Sequence, residues 1–154
     1  MTGSTELSSL CLLEKTRFHK AHLTACSFQE TPLTETLFEK TALLRLSLPG
    51  ENLAGISLSG CDLTDTDFSD AILTEANLSE CQAKEANFTR ADLKNADLRK
   101  ISAPYADFTG ANLSGARFDK ADHASASLEE TDANEANFSE ANLDRIRGEA
   151  MQAQ

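Results

Sequence analysis

Residues 86–100 read Ala86-Asn-Phe-Thr-Arg, Ala91-Asp-Leu-Lys-Asn, Ala96-Asp-Leu-Arg-Lys. These are three blocks of five in one order: a small residue, Asp or Asn, a large apolar centre, then two polar residues. A search for self-similarity precedes any assignment of helices or strands, because a missed repeat mis-assigns the whole fold. Carried outward, the block fixes the phase of almost the entire chain. All 8 Phe stand at positions with remainder 3 on division by five: Phe18, Phe28, Phe38, Phe68, Phe88, Phe108, Phe118 and Phe138. Chance places them so about once in 80,000 sequences. From 13 to 143 there are 27 such centres and 23 hold Leu or Phe. The centres read as core are Leu13, Phe18, Leu23, Phe28, Phe68, Phe88, Phe108, Phe118, Phe138 and Leu143.

A period of five fits neither the 3.6 of a helix nor the 2 of a strand. It fits a chain that turns after each short segment, with small and large apolar residues pointing in and the other three out. The consensus A-(D/N)-(L/F)-(S/T)-x closely resembles that of the pentapeptide-repeat family, over residues 11–145. The resemblance implies an all-β solenoid, a right-handed quadrilateral β-helix with four five-residue sides per coil. About 7 coils are expected, giving a rod ~32 Å long at the ~4.8 Å spacing of paired strands. Residues 1–10 are assigned to an amino-terminal cap and 146–154 to a short tail, and helix is expected only in these two segments.

The repeat also settles the cysteines. Cys11, Cys26, Cys61 and Cys81 form no C-x-x-C pair, and all four occupy the small inward position. They read as buried small hydrophobes rather than metal ligands or redox groups. Cys61 and Cys81 lie one coil apart, and a disulfide between them is not expected.

Several places depart from the consensus. Leu46 and Glu51 fill small inward positions beside Pro49-Gly50; because a buried charge is costly, 44–51 is expected to leave the coil as a bulge or protruding loop. Ala83, Ala103, His123 and Ala133 replace Leu or Phe at centres. Ile101 is expected to compensate for Ala103, and His123 is the one titratable side chain predicted to point inward.

The 154 residues carry 25 acidic and 14 basic side chains, a formal net charge of −11. That balance argues against bare nucleic acid or an anionic membrane surface as a partner. No run approaches the ~20 apolar residues of a membrane-spanning helix. The start lacks the basic and apolar regions of a secretory signal, so a cytoplasmic, bacterial setting is expected. No paired-carboxylate cleft, phosphate loop or nucleophile with its base is found, and outward positions on a convex rod make no pocket. Neither catalytic, cofactor-binding nor metal-binding residues are assigned, no cofactor is expected, and His19 and His22 read as solvated.

Sorting the outward charges by side gives the one candidate surface. The side centred on Phe18, Phe38, Leu58, Leu78, Leu98, Phe118 and Phe138 carries Arg17, Lys20, Lys40, Arg99, Lys100, Arg117 and Lys120. Its seven basic residues outnumber five acidic ones, a net of +2, whereas the side of Phe28 and Phe68 is −5. A small apolar patch of Leu12, Pro32, Leu37 and Ile72 is a second candidate contact.

The reading that follows is a non-enzymatic scaffold that presents columns of side chains to a protein partner, as a monomer, because the tail after Leu143 is short and polar. The resemblance adds two alternatives: a mimic of DNA that binds and protects DNA gyrase or a related topoisomerase from quinolones or toxins, and an accessory or effector module of a secretion system. At one charge per ~1.7 Å, a ~32 Å stretch of DNA carries ~19 negative charges; the protein offers 11 net, which ranks mimicry below the scaffold.

Overall fold

The computed structural model describes residues 15–25, 28, 33 and 36–148. Positions 11–14, the amino-terminal cap at 1–10, Cys11, Cys26, Leu12, Pro32 and the end of the tail lie outside the described residues.

The local rule is a turn every five residues. Most centre carbonyls accept from the N–H three residues on, as in Cys61 N to Leu58 O at 3.0 Å and Ala91 N to Phe88 O at 3.0 Å. The residue before each small position is left-handed. Among the described residues, all 20 non-glycine residues with positive φ have numbers divisible by five, and Gly50, Gly55, Gly60, Gly110 and Gly115 share the series. A left-handed third residue is what a type II turn requires. Here Lys, Glu, Asp and Arg mostly occupy it, at roughly 1–2 kcal/mol each against glycine-free backbone preference.

Four turns return the chain to its starting direction. Strand β1 (Arg17–His19) pairs in parallel with β2 (Leu37–Glu39). Every isolated bridge beyond them joins residue i to residue i + 20, from His22↔Ala42 to Ser127↔Arg147, all parallel. The protein is a repeat β-helix with 20 residues per coil. Among the described residues there is no helix, and so none long and apolar enough to cross a membrane.

The remaining consensus positions have equally concrete jobs. The Asp or Asn before each centre turns its side-chain oxygen onto the N–H two residues ahead: Ser69 N to Asp67 at 3.0 Å, Thr89 N to Asn87 at 3.0 Å, Ser114 N to Asn112 at 3.1 Å. This Asx turn satisfies an N–H that the ladder leaves over. Ser or Thr after the centre donates its hydroxyl to the same oxygen, 2.7 Å in Ser79–Asn77 and in Ser114–Asn112. The amide of an Asn also reaches the Asp one coil below, at 3.0 Å in Asn87–Asp67, Asn112–Asp92 and Asn142–Asp122.

Inside, small and large residues alternate around the coil. From Cys61 to Phe118 every small position except Thr66 is apolar, and every centre is fully buried. Phenylalanines stack along the axis, with centroids 5.2 Å apart in Phe68–Phe88, 4.8 Å in Phe88–Phe108 and 4.6 Å in Phe118–Phe138. Polar residues in small positions donate to a centre carbonyl of the coil below: Thr66 to Leu43 O at 2.7 Å, Cys81 Sγ to Leu58 O at 2.9 Å. Ile101 and Ala103 are both fully buried, the exchange of volumes that close packing accepts.

The loop expected over 44–51 is not present. Leu48 N donates to Asp67 O at 2.8 Å, Gly50 N to Ser69 O at 2.8 Å, and Ile72 N to Glu51 O at 2.9 Å, so the stretch runs as ordinary sides. Two physical reasons hold it in place. This coil uses Leu at all four centres, Leu43, Leu48, Leu53 and Leu58, which frees volume for Leu46 and Ile56 in small positions. Glu51 is only half-buried, so its carboxylate keeps contact with water rather than entering the core. The coil also extends past 145: Ile146 packs against the core and Leu128 N donates to Arg147 O at 2.6 Å. Gly148 then takes a centre position, where a Cβ would stand 2.7 Å from the Leu128 carbonyl.

Candidate functional site

The basic side draws on three positions of the repeat. Lys20, Lys40, Lys100 and Lys120 stand at left-handed turn positions, whose side chains project from the corners, while Arg17 and Arg117 occupy the position before the centre and Arg99 the one after it. The structure places all seven on one side, and all seven are exposed. It does not leave them as a free cationic patch. Arg99 forms a two-pronged pair with Asp97, Nε to Oδ1 at 2.8 Å, and the guanidinium holds that carboxyl below the usual carboxylate range. Lys100 reaches Glu80 at 3.0 Å, Arg17 reaches Glu39 at 3.3 Å, Arg117 reaches Asp119 at 3.7 Å and Lys120 reaches Glu140 at 3.8 Å. Among the described residues, only Lys20 and Lys40 of the seven form no ion pair. His19 meets Glu39 at 3.1 Å on the same side.

Most of these pairs join adjacent coils, which sequence reasoning missed. Writing the sequence in rows of 20 exposes the signal, since Glu80 lies under Lys100 and Lys120 under Glu140. On the −5 side the same arithmetic places Asp70 under Arg90, bound twice at 2.7 Å, and the guanidinium keeps the Asp70 carboxyl below its ordinary range.

Tyr105, at 62 % the most exposed large hydrophobic side chain among the described residues, also escaped the sequence reading. Of the apolar patch, Leu37 and Ile72 are exposed at 39 % and 41 %, on two different sides.

No cluster of His, Cys, Asp or Glu fit to hold a metal occurs among the described residues. Cys61 and Cys81 are free, fully buried thiols; burial, with Cys61 alongside, pushes the Cys81 thiol up to about 12, far from a reactive thiolate. His123 is fully buried between the edges of Phe108 and Phe118, at centroid distances of 5.4 and 4.9 Å. Both ring nitrogens lack a hydrogen-bond partner, and desolvation lowers the imidazole to about 4. It is a neutral core residue. An apolar cavity of about 10 Å³ lies inside the all-leucine coil, against Phe38 and Phe68, too small for more than a water-sized guest.

Residues 51–122 match the profile of a pentapeptide repeat region, and residues 124–145 match that of pentapeptide repeats in eight copies. No curated protein matches the chain. Among solved structures, HetL, a pentapeptide repeat protein involved in heterocyst differentiation regulation from the cyanobacterium Nostoc sp. strain PCC 7120, shares 27 % identity over 82 % of this chain, with TM-score 0.43. This chain spans 61 % of HetL. Rfr23 from the cyanobacterium Cyanothece 51142 shares 26 % identity over 91 % of this chain and 85 % of its own, with TM-score 0.45. QnrB1, a plasmid-mediated fluoroquinolone resistance protein, shares 16 % over 89 % of this chain and 95 % of its own, with TM-score 0.41.

Proposed function

Because the chain belongs to the pentapeptide-repeat family, we propose that it is a non-enzymatic scaffold: a right-handed quadrilateral β-helix of about 7 coils whose basic side docks a protein partner. One observation carries the reading. Seven exposed cations stand on one side of a rod whose interior fixes their spacing, and Lys20 and Lys40, stacked one coil apart, are the two without a carboxylate partner among the described residues. The other five are held only by solvent-exposed ion pairs. Such pairs are worth roughly 0.2–1 kcal/mol, so an acidic partner surface exchanges for them at little cost. Rigid presentation lowers the entropy lost on binding, since the rod has already ordered its side-chain columns.

Capture from lysate on immobilised protein tests this. Charge reversal at Arg99, Lys100, Arg117 and Lys120 abolishes capture of the partner while circular dichroism is unchanged. Capture that survives the fourfold reversal sinks the reading.

The side of charge −5 favours a second reading, an acidic surface that takes the place of DNA on a topoisomerase. Its carboxylates are partly spent: Asp70 on Arg90, Asp67 on Asn87 and Ser69. DNA gyrase assayed for supercoiling with and without a quinolone separates the two. The scaffold reading expects no effect at micromolar protein, and protection lost on reversing Asp67, Asp70 and Asp107 would promote the mimic.

A further inference from the structure

Tyr105 answers to no need of the core. It stands at a left-handed corner, φ 62, with most of its side chain in water. Its surroundings are small and uncharged: Ser102 and Pro104 on its own repeat, Ala124 and Ser125 on the next coil. Charge returns one coil further out in each direction, as Lys84 and Glu85 below and Asp144 and Arg145 above, all four exposed.

These residues share one side of the rod. Bridges tie Gln82, Ser102, Asp122 and Asn142 into one column, and the corner N–H groups of Glu85, Tyr105 and Ser125 each donate to the next coil at 2.8 to 3.0 Å. At the lower end the order across the side is cation then anion, at Lys84 and Glu85. At the upper end it is anion then cation, at Asp144 and Arg145. Turned end over end, the pattern is its own complement.

We propose that this side docks on the same side of a second copy, the two rods antiparallel about a two-fold axis midway between the coils of Tyr105 and Ser125. The argument is charge complementarity, which fixes the register of an interface. At each end of the contact, Lys84 meets Asp144 of the other copy and Glu85 meets Arg145. Lys84 and Glu85 keep their own pair, 3.2 Å apart, within that four-charge cluster. Asp122 faces the Ser102 hydroxyl. In the middle the two Tyr105 rings lie side by side across the axis, offset by one strand spacing of about 4.8 Å. Each ring rests on Ala124 and Ser125 of the other copy, an aromatic anchor at the centre of the contact.

Other arrangements lose the match. An axis through the coil of Tyr105 sets Lys84 on Ala124. An axis between the coils of Glu85 and Tyr105 sets Arg45 on Arg145 and Asp62 on Asp122. A parallel union brings the Asp62 column onto the corner column, with Asp62 on Asp65. The favoured contact is isologous and closes at two copies. It involves neither end of the rod and leaves the basic side of both copies open, so it goes beyond the scaffold reading without competing with it. It stands against the monomer expected from the sequence. Four coils span only about 19 Å, less than a standard interface needs, so the dimer is weak and loosened by salt.

Sedimentation equilibrium of the full chain over a dilution series tests it. The expected weight-average mass rises with concentration from 16.7 kDa toward twice that value and stops there. Tyr105→Ser, Glu85→Arg and Arg145→Glu each weaken association by roughly tenfold or more. An equimolar mixture of Glu85→Arg with Arg145→Glu regains it, as does one chain carrying both changes, because each copy then supplies the charge the other needs. All three side chains are exposed, and an unchanged dichroism spectrum checks that the variants fold. One copy at every concentration up to about 1 mM, a mass that climbs past two copies, single variants that dimerise as the parent does, or a folded double variant that stays single would each overturn the proposal.

Discussion

The segments 86–95 and 136–145 spell nearly the same words, Ala-Asn-Phe-Thr-Arg-Ala-Asp-Leu-Lys-Asn against Ala-Asn-Phe-Ser-Glu-Ala-Asn-Leu-Asp-Arg. Both carry the same turns, Asx bonds and left-handed corner residues. Yet Phe88 and Leu93 are fully buried, whereas Phe138 and Leu143 are not. The motif determines the backbone of its own five residues, and the neighbouring coils determine what that motif contributes to stability. In a stack where stability is a nearest-neighbour sum, a coil with one neighbour keeps roughly half its contacts.

The largest expected effect puts a number on that difference. Phe88→Ala removes a ring sandwiched between Phe68 and Phe108 and should cost about 3–5 kcal/mol. Phe138→Ala, stacked on Phe118 alone among described residues, should cost about half as much. Denaturant titration of both variants checks the ratio, and equal losses would break the nearest-neighbour account.

Next in size is His123, which sits where the two regions meet. Its folded-state pKa of about 4 lies below the ordinary 6.5, so between those values the unfolded chain binds a proton that the native one does not. Stability is therefore fully present above pH 6.5 and falls as pH drops toward 4, by about 3 kcal/mol in all. His123→Leu restores the consensus centre, removes two unpaired nitrogens and flattens that part of the pH profile. A midpoint that stays constant from pH 7 to 4.5 would contradict the buried neutral imidazole.

A smaller contrast concerns volume. Ala91→Leu forces a side chain into a closed interior and should cost about 1–3 kcal/mol, while Ala141→Leu, half-buried at the open end, should be close to neutral. Smallest is Glu75→Gly at a left-handed corner with φ 58. Relief of the backbone should exceed the added freedom of the unfolded chain, for a gain of about 0.5 kcal/mol read from the thermal midpoint.

The fold was legible in the sequence because the five-residue phase is carried by large residues: one misplaced Phe would have broken it, and none is misplaced. What stayed hidden involved compensation rather than phase. Leu46 and Glu51 look unacceptable in isolation and become ordinary only when four leucine centres, and the water still reaching Glu51, are counted with them. The candidate basic side suffered the same way. Net charge per side treats charges as independent, but Lys100 and Glu80 are 20 apart in sequence and 3.0 Å apart in space, so the sum was right and the availability was not.

The coil of 20 residues, divided into fives, also sets the grammar of length change in such a chain. An insertion or deletion of one to four residues takes every later large side chain out of its centre position. A change of five keeps inside and outside intact but turns the whole downstream rod by a quarter, so that Arg90 would no longer stand over Asp70 and each charged column would be spliced onto its neighbour. Only whole twenties preserve both core and surface. Gain or loss of a single pentapeptide is thus a rearrangement of the outer face at constant interior, a way for such a rod to acquire new surfaces without inventing a new core.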